Sequence, residues 1–182
     1  MWSRREYVKA LLALPWASAS AAQTLGGQAG ASSEGGWPLW ASRAGQQFYF
    51  DARTPEGYQI ARYLLRDIRA GGVMGWPDPW LLRALAQMQY WWAQYGRHVR
   101  IDFTSGLRLP STNASIEGAA RASLHLPRQG GRFYAADFRV GRANLLTVAQ
   151  WARAAGISGL GLYVERDFLH ADMGRVRHWI GR

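Results

Sequence analysis

Leu160-Gly161-Leu162-Tyr163-Val164 and Phe168-Leu169-His170-Ala171-Asp172-Met173 are two short apolar runs separated by Glu165, Arg166 and Asp167. Their length and their content of leucine and aromatic side chains read as two strands. Side chains alternate along a strand, so His170 and Asp172 share one face, and Asp167 lies just before it. A further strand is predicted at 134–140, where Ala135-Ala136-Asp137-Phe138 sets an acid within an otherwise apolar run. Asp137 follows the histidine of Ser123-Leu124-His125 by twelve positions.

Upstream, Arg97 to Thr104 alternates, with Val99, Ile101 and Phe103 on one face, and is predicted as a strand. Gln46 to Asp51 holds Phe48, Tyr49 and Phe50 and is a short strand candidate. Thr54 caps a helix with Pro55 in its first turn; Ile60, Leu64, Leu65 and Ile68 recur at helical spacing, and Gly71-Gly72 ends the run. Asp78-Pro79 opens a second helix, with Leu81, Leu82, Leu85, Met88 and Trp92 on its apolar face and Gly96 as its stop. Asn144 caps a third, carrying Leu145, Leu146, Val148, Ala149 and Ala152 and closed by Gly156. Between them, 105–124 is polar, with room for one short helix around Asn113 to Ala120. Helices come first and strands cluster late. That order predicts an α+β fold with a small, mostly antiparallel sheet flanked by helices.

Composition narrows the chemistry. The 182 residues contain no cysteine, which excludes a disulfide scaffold, a thiolate metal site and a thiol nucleophile. Any metal must be held by carboxylates and by the four histidines, His98, His125, His170 and His178. Zinc accepts such ligands, and three protein ligands plus water mark a catalytic site. Spacing alone does not separate this from histidines packed in a core. The formal charge is +10, from 22 basic residues of which only Lys9 is a lysine. The arginines are scattered and form no polybasic stripe, so no nucleic-acid partner is expected. An anionic envelope polymer suits the charge equally well. No apolar run approaches the roughly 20 residues of a membrane span.

The N-terminus reads Ser3-Arg4-Arg5-Glu6-Tyr7-Val8-Lys9, then an apolar run to Trp16 and small residues to Ala22. This pattern is similar to the twin-arginine export signal. Residues 1–22 are predicted as that signal, 23–36 as a Gly/Ser-rich flexible linker, and 37–182 as one folded domain. An exported, periplasmic or cell-envelope protein, monomeric and met by the twin-arginine machinery, is expected.

From Thr104 to Trp179 the chain resembles the M15 family of zinc peptidases, in its murein endopeptidase branch. The branch pattern S-G-Y-R-x-P-x-T-N is matched by Ser105-Gly106-Leu107-Arg108-Leu109-Pro110-Ser111-Thr112-Asn113. Ser123-Leu124-His125, Ala135-Ala136-Asp137, Gly159-Leu160-Gly161-Leu162-Tyr163 and Phe168-Leu169-His170-Ala171-Asp172-Met173-Gly174 follow in the family's order. Tyr63-Leu64-Leu65-Arg66-Asp67-Ile68-Arg69 resembles its L-L-R-D-x-R run. The resemblance implies a Hedgehog/D-Ala-D-Ala-peptidase-like fold, Zn2+ as cofactor, and peptidoglycan peptides as substrate. It implies His125, Asp137 and His170 as metal ligands. Arg108 matches an arginine that faces the scissile carbonyl, where a fixed positive charge stabilises a developing oxyanion. Two acids compete for the proton-transfer role. Asp172 lies two residues after the last ligand, as in the branch, and is favoured; Asp167 lies three before it, as in other relatives. Ser123 and Trp179 are expected to support the site, and His98 and His178 to be structural.

One departure stands out. The family separates the first histidine and the aspartate by seven residues, five fewer than here. The extra residues fall within Pro127 to Tyr134 and read as a loop bulging from the ligand hairpin. The leading expectation is a zinc-dependent peptidase cutting peptidoglycan cross-links, D,D or L,D. The alternative is a non-catalytic wall-binding or zinc-binding module on the same fold.

Overall fold

The structure, a computed structural model, describes residues 35–141 and 143–181. The expected export signal and the expected linker up to residue 34 lie outside the described residues.

One mixed sheet forms the frame. Its strands are β1 (Pro38–Arg43), β2 (Gln46–Asp51), β4 (Ile101–Ser105), β6 (Ala135–Arg139), β7 (Gly159–Tyr163), β8 (Phe168–Asp172) and β9 (Arg177–Ile180), in the order β2-β1-β4-β6-β8-β7-β9. Four of the six pairings are antiparallel; β1 with β4 and β7 with β9 are parallel. A separate two-stranded ribbon joins β3 (Trp76–Pro77) to β5 (Arg132–Phe133). Helices α1 (Pro55–Leu64), α2 (Pro79–Gln94) and α4 (Leu145–Ala154) flank the sheet; α3 (Pro110–Ala114) is a single short turn. The fold is α+β as expected, although strands β1 and β2 precede the first helix and α4 lies between the later strands.

Period-two alternation divides the sheet into two faces. Ala136, Phe138, Leu160, Leu162, Leu169 and Ala171 are wholly buried in the core that also takes Leu81, Leu85, Val148 and Ala149 from α2 and α4. Burial of this much apolar surface is the main stabilising term. The residues between them point the other way, and register aligns them in rows. Ser105, Asp137, His170, Gly161 and Trp179 are successive cross-strand partners. Ala135, Asp172, Gly159 and Arg177 form the next row.

The caps behave as the sequence predicts: Thr54 Oγ accepts from Gly57 N at 3.0 Å, Asp78 Oδ1 from Trp80 N at 2.9 Å, and Asn144 Oδ1 from Leu146 N at 2.9 Å. Several boundaries differ. Helix α1 stops at Leu64 instead of continuing through Ile68. The Arg43 guanidinium takes the Leu64 and Arg66 carbonyls at 2.8 and 2.5 Å, and Leu107 N takes the Leu65 carbonyl at 2.8 Å. These long-range donors replace the intrahelical partners that another turn would need. The short helix begins at Pro110, three residues before Asn113, because proline suits a first helical position. Strand β4 starts at Ile101, so His98 is exposed and precedes the sheet. Strands β1 and β9 were not predicted. The five-residue insertion is no free bulge: it forms β5, with Phe133 fully buried and Asp78 N bonded to the Phe133 carbonyl at 2.9 Å.

Candidate metal centre

Asp137 and His170 face each other directly across β6 and β8. His125 comes from the loop before β5. Its position is set from both sides: Arg108 N bonds the His125 carbonyl at 3.0 Å, and Tyr134 N bonds the Leu124 carbonyl at 2.9 Å. The second contact closes the chain after the insertion, so the extra residues leave the ligand register intact. No residue from 126 to 136 lines the adjoining cleft.

The three side chains converge. His125 Nε2 lies 3.2 Å from Asp137 Oδ1 and 3.2 Å from His170 Nδ1; His170 Nδ1 lies 2.8 Å from Asp137 Oδ1. A tetrahedral ion with ligands at about 2.0 Å needs ligand atoms about 3.3 Å apart, so the spacing fits zinc with little movement. His125 is 1% exposed, Asp137 4% and His170 8%. Among the described residues this is the group of histidines and acids that could hold a metal ion.

Each imidazole presents a defined nitrogen. His125 Nδ1 contacts the Gly106 carbonyl at 2.5 Å, which makes Nδ1 the donor and leaves the Nε2 lone pair inward. His170 is reversed: Nε2 contacts Asp172 Oδ2 at 2.8 Å, and Nδ1 faces the cluster. Hydrogen-bonded partners of this kind fix tautomer and ring angle in metal sites.

Asp172 is fully buried and occupied on both oxygens. Gly174 N donates to Oδ1 at 2.8 Å and Arg177 Nη2 to Oδ2 at 2.6 Å, beside the His170 contact. It therefore sits behind His170, on the ring edge away from Asp137. Asp167 is exposed in a left-handed backbone conformation (φ 49°), and Arg139 Nε holds its carbonyl at 2.7 Å. Arg108 bonds Ser105 Oγ at 2.8 Å through Nε and pairs with Asp137 Oδ2 through Nη2. Ser123 Oγ accepts from His125 N at 3.3 Å, and the Trp179 ring lies 5.2 Å from that of His170. His178 lies on β9 at the cleft and offers no atom to the cluster.

The electrostatics follow the contacts. Burial opposes ionisation of Asp137, but the two histidines outweigh it and hold the carboxyl far below the usual range. Burial likewise opposes charge on Asp172, and His170, Gly174 and Arg177 overcome it, so its pKa is lowered. His125 is pushed down by complete burial. Burial would lower His170 too, but hydrogen bonds to Asp137 and Asp172 raise it.

Three supporting elements escaped the sequence reading. Gly159 and Gly161 are the cross-strand neighbours of Asp172 and His170. A Cβ at Gly159 would fall 2.3 Å from Asp172 Oδ1, and one at Gly161 2.4 Å from the Trp179 ring. Arg177 anchors Asp172, and buried Asp67 accepts from Leu109 N at 2.7 Å, holding the Arg108 loop. The G-x-G and L-L-R-D runs carried these signals without revealing the contacts.

Beside the cluster lies an open cleft of about 1400 Å3, lined by Arg108, Tyr163, Phe168, Trp179 and the 115–120 loop. A buried two-histidine, one-carboxylate set at the floor of a polar cleft is the arrangement of a metallohydrolase. The chain belongs to the family described as Peptidase M15, which matches residues 63–172. It is 33% identical over 124 residues to the "Probable peptidoglycan L,D-endopeptidase MepK" of Haemophilus influenzae, covering 65% of this chain and 62% of that protein, less than two thirds of its length. It is 29% identical over 137 residues to the peptidoglycan L,D-endopeptidase MepK of Escherichia coli K12, covering 72% and 70%. No solved structure matches significantly. No described helix is long and apolar enough to cross a membrane.

Proposed function

We propose that this protein is a zinc-dependent peptidase hydrolysing peptide cross-links of peptidoglycan in the cell envelope. The observation that carries the reading is the convergence of His125 Nε2, His170 Nδ1 and Asp137 Oδ1 to within 2.8–3.2 Å at the floor of a cleft. Zn2+ held by these three would polarise a scissile carbonyl and make a water nucleophilic at neutral pH.

The remaining roles belong to the chain itself. Arg108 pairs with Asp137 and, with five N–H donors in all, retains donors for an oxygen that gains charge during acyl transfer. Asp172 fixes the orientation of His170 and is a positioning group, not the proton acceptor expected for it. The proton-transfer role passes to Asp167. The family pattern with an acid three residues before the last histidine supports that assignment, and Asp167 is exposed, with its carbonyl held by Arg139 at 2.7 Å. The names of the relatives favour an L,D bond over a D,D bond. Export through the signal at 1–22, a linker at 23–36, a periplasmic location and a monomeric state belong to the same proposal, supported by the sequence pattern alone.

The test is digestion of isolated sacculi, with released peptides read by mass spectrometry. Release that chelator abolishes and zinc restores supports the proposal. Release untouched by chelator, or none under any metal condition, refutes it.

A further inference from the structure

Seven arginines and three acids line the cleft. Four of the arginines are engaged. Arg43 holds the Leu64 and Arg66 carbonyls, Arg108 holds Asp137, Arg139 holds the Arg166 and Asp167 carbonyls, and Arg177 holds Asp172. The side chains of Arg69, Arg166 and Arg175 have no hydrogen-bond or ion-pair partner among the described residues. Of the acids, Asp67 accepts from Leu109 N and Ala70 N, and Asp137 lies in the metal cluster, so Glu117 is the free one. Three unpaired guanidiniums against one free carboxylate leave the cleft short of negative charge. A bound ligand is the natural source of it.

Arg166 differs from the other two in being mounted. It ends the short 3-10 turn Val164–Arg166 that follows β7, where Arg139 Nη2 bonds its carbonyl at 2.8 Å. Its guanidinium carbon lies 5.0 Å from the Phe168 ring and 5.9 Å from the Tyr163 ring. Those two rings stack with centroids 4.3 Å apart and planes at 10°. Tyr163 is braced in turn: Trp179 Nε1 reaches its hydroxyl at 3.4 Å, and a Cβ at Gly181 would fall 2.1 Å from its ring. A guanidinium resting against aromatic rings keeps its in-plane N–H donors for a carboxylate fork and loses little side-chain freedom on binding.

We propose that Arg166 is a carboxylate-recognition residue, and that the cleft selects peptides bearing free carboxylates over the same peptides amidated. The substrate class rests on the peptidase reading above, since stem peptides of the wall carry carboxylates on their γ-linked glutamate and diamino-acid residues. Arg69 and Arg175 add to the field without a comparable mount.

The experiment is calorimetric titration of the zinc-loaded full chain with two probes. One is the tetrapeptide L-Ala-γ-D-Glu-meso-diaminopimelyl-D-Ala with free carboxylates, and the other is its fully amidated form. Wild type should bind the free form about tenfold tighter, the scale of one charge-assisted bidentate contact. Arg166→Gln should bring the two forms to within about threefold, and Arg166→Lys should fall between, because a point charge cannot form the fork. Equal binding of both forms by wild type, no binding of the free form, or an unchanged preference in Arg166→Gln overturns the proposal. Arg166-dependent binding without release of peptides from sacculi would leave recognition standing and remove only the hydrolytic reading.

Discussion

Gly159→Ala tests how the metal centre is supported, without touching a ligand. The added methyl would lie 2.3, 2.4 and 2.5 Å from Asp172 Oδ1, Oδ2 and Cγ. Ordinary contact begins near 3.4 Å, so the carboxylate must retreat by about 1 Å. It has nowhere to go: Asp172 is 0% exposed and tied to His170 Nε2, Gly174 N and Arg177. Overpacking costs about 1–3 kcal/mol, and loss of one charged hydrogen bond adds a similar amount, for about 2–5 kcal/mol in total. At roughly 3 °C per kcal/mol for a domain of this size, Tm should drop by about 6–15 °C. A loosened His170 should also weaken zinc binding about 10–100-fold. Thermal unfolding followed by circular dichroism and competition with a chromophoric chelator measure the two effects. Gly118→Ala is the control: its left-handed backbone (φ +72°) makes the substitution strained, but a Cβ there meets nothing within 4 Å, so zinc affinity should hold. Wild-type zinc affinity in Gly159→Ala, with Tm within about 2 °C, would refute the reasoning.

Two aspartates separate by kinetics. Asp167→Asn should lower kcat by about 10²–10⁴ with zinc content unchanged, while Asp172→Asn should lose zinc and recover rate in excess metal; the opposite pattern reverses the roles. Folded Asp172 has a lowered pKa, so its stabilisation is present above the unfolded value near 4 and is lost as pH falls through the folded one. In metal-free protein the stability gap between wild type and Asp172→Asn, read by urea unfolding, should therefore narrow below about pH 4; a constant gap contradicts it. Phe133→Ala should cost about 3–5 kcal/mol, since its wholly buried ring pins the insertion, yet leave zinc stoichiometry unchanged by elemental analysis. Zinc loss would mean that the insertion does shape the site.

The α+β fold was legible because its signals are local. Caps at Thr54, Asp78 and Asn144 and the alternation through Asp137 and His170 need no tertiary knowledge. What stayed hidden depends on distant contacts. Arg43 truncates α1 from strand β1, and β9 forms only because β7 lies beside it. Which nitrogen of His170 faces inward is set by Asp172, so a spacing argument could place that acid near the site without assigning its task. The insertion was visible as five extra residues, but its pairing partner, Trp76–Pro77, is remote in sequence.

The central claim is that His125, Asp137 and His170 form a zinc centre that cuts wall peptides. The most direct test is muropeptide profiling of sacculi digested by wild type and by the His125→Ala/His170→Ala variant, with bound zinc measured on the same samples. The account predicts cross-linked species replaced by L,D-cleaved products with zinc-bearing wild type, and neither zinc nor products with the variant. Equal digestion by the metal-free variant would contradict it.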